Sequence, residues 1–120
     1  MLGAMLRLSA AFGHSLRALR WAWVHETAVR EEMVAIAAGV GIAALISDSV
    51  PMFAALVGVL LLLVAVELLN TAIEKLCDHV TPQHHPQIGV VKDLGSAAVL
   101  ATAVLALGVW GWGVARWWMG

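Results

Sequence analysis

The sequence predicts an all-α integral membrane domain with three membrane-crossing helices and an N-terminal amphipathic surface helix. Three observations predict it. First, the 120 residues are 62% hydrophobic and only 12% charged, with mean hydropathy +0.89, whereas soluble domains carry about 25% charged residues. Second, residues 50–66 and 94–115 are uncharged runs of 17 and 22 residues. Third, Trp110, Trp112, Trp117 and Trp118 crowd the end of the second run, as an aromatic belt does at a membrane interface. At this length the chain is a single membrane domain, 1–120. A formal net charge of −1 leaves no nucleic-acid footprint, and the lone Cys77 excludes an intramolecular disulfide or a CxxC motif.

The surface helix is expected over 5–25. Leu8, Phe12, Leu16, Leu19 and Trp23 fall within an arc of about 80° at about 100° per residue, with Arg7, His14, Arg17 and Arg20 opposite. A basic amphipathic helix of this kind lies in the membrane surface. The same basic residues interrupt any signal-peptide core, so none is expected. The first crossing, 30–48, is the weakest, because its uncharged part is only 15 residues, 33–47. The Ser-Asp-Ser-Val-Pro turn that follows forces it to pair with the second crossing, 50–75, as a hairpin. Residues 76–92 read as a cytoplasmic loop, and 93–117 as the third crossing. Its 22 uncharged residues span about 33 Å as a helix, matching a hydrocarbon core of about 30 Å. Six of the seven basic Arg and Lys residues fall on one side, leaving only Arg116 on the other. The positive-inside rule therefore places the surface helix and the loop in the cytoplasm.

The polar residues of the second crossing need explaining. Glu67, Asn70, Glu74 and Asp78 fall on one helical stripe about 80° wide, with Thr71 beside it. Acids near a bilayer are costly, and only Lys75 is basic here. The stripe is either a wetted helix end facing headgroups or a site for a divalent cation or proton transfer. Two further clusters reach the same face, Glu26-Arg30-Glu31-Glu32 and Lys92-Asp93. Glu31 and Glu32 read as the solvated start of a helix, and Asp93 serves equally well as a helix cap. Convergence of three acidic segments at one level suits oxygen coordination of Mg²⁺, which takes one or two carboxylates plus substrate phosphates. His79, His84 and His85 lack zinc-site spacing, and no Walker or kinase glycine loop occurs. A proton-coupled transporter would place its acid near the midplane, and a purely structural subunit would need no such stripe.

At these residues the chain resembles the prokaryotic diacylglycerol kinase family, small integral-membrane lipid kinases that include undecaprenol kinases. The resemblance rests on RALRWAWVHETAVREE (17–32), ELLNTAIEKLCD (67–78) and KDLGSAAVL (92–100). It implies a homotrimer in the bacterial cytoplasmic (inner) membrane, its active site facing the cytoplasm. It also implies transfer of the ATP γ-phosphate to a lipid hydroxyl with Mg²⁺. By the resemblance, Glu67 is the general base, and Glu26 and Glu74 hold the metal bound with ATP. Asn70, Asp78, Lys92 and Asp93 line the nucleotide site, with Arg7, His14, Gln83 and His85 contacting ATP. Ser96 and the 17–21 segment with Arg20 border the lipid, as do Arg7, Trp23 and Glu67. His14 stands where many relatives carry Tyr. The loop TPQHHP looks like the undecaprenol branch, whereas KDLGSAAVL and the RAxW pattern lean towards the diacylglycerol branch.

Overall fold

A computed structural model describes all residues, 1–120. It is entirely helical: α1 (Leu2–His25), α2 (Thr27–Ile46), α3 (Val50–Val80) and α4 (Pro86–Met119). The chain forms two compact units, Met1–Glu31 and Glu32–Gly120.

In the first unit, α1 leaves its apolar stripe exposed, including Leu8, Phe12, Leu16 and Trp23; only Ala22 is buried. The helix stops at Glu26, whose φ of −117° and ψ of 105° are extended. Helix resumes at once with Thr27.

In the second unit, α3 and α4 pack along their lengths. The contact is written at alternating three- and four-residue intervals. On α4 the covered positions include Lys92, Gly95, Val99, Thr102, Ala106, Val109 and Gly113; on α3 they include Met52, Leu56, Val59, Leu63, Val66, Asn70 and Cys77. Such spacing keeps one seam facing its partner, and small residues let helix backbones approach closely. At Gly113 an added Cβ would lie 2.7 Å from Leu56 Cδ2. Leu56 itself is fully buried, in a core with Ala43 and Met52 that Phe53, Val57, Val109 and Trp110 surround. The Trp110 indole Nε1 donates to the Leu56 carbonyl at 3.0 Å, so its polar atom is satisfied inside that core. Thr102 likewise returns its hydroxyl to the Ala98 carbonyl, 2.8 Å.

The turn between α2 and α3 follows its chemistry. Ser49 is the N-cap, its hydroxyl accepting from the Met52 amide at 3.3 Å, and Pro51 occupies the first turn. Asp48 in this turn pairs with Arg116 near the end of α4, 2.6 Å from Oδ2 to Nε.

α3 and α4 are long and apolar enough to cross a membrane, and most of their apolar windows are exposed, 22% and 11% buried. The core helix of a soluble protein would be mostly covered, so these surfaces are suited to lipid. α2 is shorter and carries Arg30, Glu31 and Glu32 in its first two turns, so its uncharged stretch is shorter than those of α3 and α4. At 31 and 34 residues, α3 and α4 run to about 46 and 51 Å. That exceeds a hydrocarbon core of about 30 Å, so each carries turns outside it.

Those extra turns correct one expectation. Residues 76–80 and 86–92 are helical, and the connection shrinks to 81–85. Leu76 to Val80 simply continue α3. Pro86 starts α4 at its first position, where proline's missing amide costs nothing, and His85 caps it by accepting from the Gln87 amide at 3.2 Å.

Candidate active site

The polar stripe occupies the last turns of α3, where α4 begins beside it. Asp78 on α3 accepts from the Lys92 ammonium on α4 at 2.6 Å, with both side chains partly exposed. This hydrogen bond pushes the Lys92 amine up from its ordinary value, so Lys92 is a fixed positive charge at neutral pH. The pair forms one wall of a cavity of about 270 Å³, which residues 81–85 close with Gln83, His84 and His85. Four of the residues expected to bind nucleotide, Asp78, Gln83, His85 and Lys92, therefore share one cavity.

Asn70 lies two turns deeper and is buried with Thr71. Its amide nitrogen donates to Glu74 Oε1 at 3.3 Å, orienting that carboxylate. Its oxygen packs against Gly95 of α4, where any Cβ would collide with it. The glycine is thus what admits a polar side chain into the seam. Glu67 is half-buried a turn below Asn70. Asp93 and Ser96 are exposed and do not line the cavity.

The remaining expected residues belong to the other unit. Arg7, His14, Arg20 and Trp23 are exposed on α1, with Arg7 and His14 seven residues apart and hence on one face. Glu26 sits at the break between helices, half-buried, with its Oε1 fully covered.

The structure corrects the reading of Glu32 as a solvated helix start. It is half-buried, with one carboxylate oxygen fully covered. The signal was present in the spacing: Val29, Glu32, Ile36, Gly39 and Ala43 follow intervals of three and four, and all are covered. The favourable helix-start chemistry of acids hid that Glu32 falls on the packed stripe.

No group of three or more His, Cys, Asp or Glu side chains forms a preformed metal cage. The donors offered are carboxylates on separate turns, a set that fits a hard cation completing its shell with phosphate oxygens. It does not fit zinc, which wants a closed set of nitrogen or sulfur ligands.

Residues 13–114 match the family described as prokaryotic diacylglycerol kinase. A diacylglycerol kinase of Escherichia coli is 38% identical over 104 residues, covering 87% of this chain and 85% of that protein. The Pseudomonas aeruginosa enzyme of the same name is 34% identical over 104 residues, 87% and 85% of the two chains. That of Haemophilus influenzae is 31% identical over 98 residues, 82% and 83%. The match takes in the polar stripe, the cavity residues, all of α3 and most of α4, and this chain belongs to the prokaryotic diacylglycerol kinase family.

Proposed function

We propose that this chain is an ATP-dependent lipid kinase that transfers the γ-phosphate of Mg·ATP to the hydroxyl of diacylglycerol, giving phosphatidic acid. The observation that carries the proposal is the cavity of Asp78, Gln83, His85 and Lys92 at the charged end of α3, continuous in sequence with the Glu67–Glu74 stripe. Phosphoryl transfer requires positioning and charge neutralisation more than covalent help from the protein. Lys92 supplies a permanent positive charge for phosphate, and Asp78 keeps it in place. Glu74, held by Asn70, and Glu26 are the carboxylates for the cation. Mg²⁺, when bound, neutralises the phosphate oxygens. Glu67, the deepest acid of the stripe, takes the proton as the lipid oxygen bonds to the γ-phosphorus. The bond from that phosphorus to the β-phosphate bridging oxygen breaks, and ADP leaves.

The proposal includes three crossings per subunit, α2 joining α3 and α4, in a homotrimer of the bacterial inner membrane with the site facing the cytoplasm. Lipid then arrives laterally and ATP from water, so hydroxyl and phosphate meet at the interface. The alternative acceptor is undecaprenol, favoured by the TPQHHP sequence (81–86) at the connection beside the cavity. Purified protein in mixed micelles, given Mg²⁺, labelled ATP and each lipid separately, decides. Label should enter phosphatidic acid. Label entering only undecaprenyl phosphate would reassign the substrate, and label in neither lipid would remove the kinase reading.

A further inference from the structure

We propose that Arg30 is a positioning residue for the Glu26 carboxylate, acting by closing the corner between α1 and α2. The inference rests on the proposed role of Glu26 as a ligand of the ATP-bound cation.

A helix end leaves its last carbonyls without amide donors. At the end of α1 the Ala22 carbonyl still receives the Glu26 amide, 2.8 Å. On a continuing helix the Trp23 carbonyl would receive the amide of Thr27, four residues on. Glu26 is extended, however, and Thr27 already opens α2. The Trp23 carbonyl is instead taken by the guanidinium of Arg30, whose Nη1 donates at 3.0 Å from seven residues away. Two residues earlier, the His25 ring packs on Trp21 at a centroid distance of 4.7 Å, with Nδ1 2.8 Å from the Trp21 carbonyl. Three consecutive carbonyls at this end are therefore engaged by three different donors, and only the Arg30 bond crosses the break.

Arg30 is also tied to Glu26 through the backbone, because its amide donates to the Glu26 carbonyl at 3.1 Å. The residue thus grips the corner on both sides of Glu26. A cation at a helix C-terminus is favourable to the macrodipole as well. The Glu26 side chain leaves from a single extended residue between two rigid helices, so its direction is set by the angle of that corner. A ligand carboxylate gains affinity when its direction is fixed in advance.

The test uses the full-length protein in mixed micelles, with Arg30→Gln, Arg30→Lys and Glu26→Gln. Mn²⁺ binding in the presence of a non-hydrolysable ATP analogue is read by electron paramagnetic resonance, and Mg²⁺ dependence of turnover is read alongside it. Arg30→Gln should weaken Mn²⁺ binding by about 10–100-fold and recover most of kcat at saturating Mg²⁺. Arg30→Lys, which keeps the charge but loses the fork, should fall between it and wild type. Weakened Mn²⁺ binding in Glu26→Gln with wild-type binding in Arg30→Gln would overturn this inference alone. Wild-type binding in both would overturn the ligand role of Glu26 as well. Lower kcat at every Mg²⁺ concentration with unchanged Mn²⁺ affinity would reduce Arg30 to a structural part and also overturn the inference. Should Arg30→Gln fail to fold, Arg30→Lys decides, and wild-type Mn²⁺ affinity there overturns it.

Discussion

The two ends of the second unit carry the same interaction in different company. At one, Lys92 meets Asp78 at 2.6 Å; at the other, Arg116 meets Asp48 at 2.6 Å. Both pairs are partly exposed, and exposed pairs contribute little to stability. Around Lys92–Asp78 stand Gln83, His84 and His85, with buried Asn70 and the Glu67–Glu74 stripe behind. Around Arg116 stand Trp112, Ala115 and Met119, lining a mostly apolar cavity of about 350 Å³. An ion pair by itself therefore marks nothing. What differs is the company: polar groups persist into the helix seam beside Lys92–Asp78, whereas apolar side chains including Trp112 surround Arg116.

The sharpest way to break this contrast is to remove the base. Glu67→Gln should lower kcat by about 10²–10⁴-fold with ATP binding retained, as measured by turnover and by nucleotide-analogue titration. Near-normal turnover would dismiss Glu67 as the base. Next, Lys92→Ala should cost about 10²–10³-fold in kcat, while Arg116→Ala in the same assay should stay within about twofold of wild type. Equal losses from the two substitutions would erase the distinction between the ends.

A steric pair sharpens the comparison further. Gly95→Ala pushes a methyl into Asn70, and Gly113→Ala pushes one to 2.7 Å from Leu56 Cδ2. Overpacking costs about 1–3 kcal/mol at either position, so both should unfold at lower denaturant. Only Gly95→Ala should also raise the Mg²⁺ requirement, because Asn70 orients Glu74. A raised requirement in both would point to a general loosening.

The smallest effect concerns pH. The hydrogen bond from Arg116 holds the Asp48 carboxyl below its ordinary value. A lowered folded-state value contributes stability that is present above the ordinary carboxylate range and lost as pH falls through the folded value. Lys92 is the reverse, raised by Asp78. Its contribution is complete below the ordinary lysine value and fades as pH climbs beyond it. Unfolding of Asp48→Asn should thus differ slightly from wild type at neutral pH and converge with it in acid. Unfolding of Asp78→Asn should differ slightly from wild type at neutral pH and converge with it in strong alkali. Convergence of Asp48→Asn in alkali would contradict the assignment.

Much of this molecule was legible in one dimension. Helix periodicity separated α1, with its split of Leu8, Phe12 and Leu16 from Arg7 and Arg17, from the uncharged α3 and α4. It also put Glu67, Asn70, Glu74 and Asp78 on one stripe. The SDSVP turn and Pro51 announce the start of α3. Less legible was the length of α3 and α4, because charged and proline-rich residues at 76–92 resemble loop chemistry until Pro86 is recognised as a first-turn residue. The burial of Glu32 is hidden for a related reason, since an acid at a helix start satisfies the dipole whichever way it faces.

What the sequence determined alone is therefore what depends on neighbours within a turn or two: helix, apolar length, stripe and cap. Those properties follow from a fixed rise and rotation per residue. Tertiary structure decided which polar atoms meet across helices. Lys92 reaches Asp78 from 14 residues away and Arg116 reaches Asp48 from 68. Gly95 admits Asn70 because two helices run close enough that one missing methyl matters. Periodicity specifies the face a residue occupies, but only the packing of that face specifies its partner.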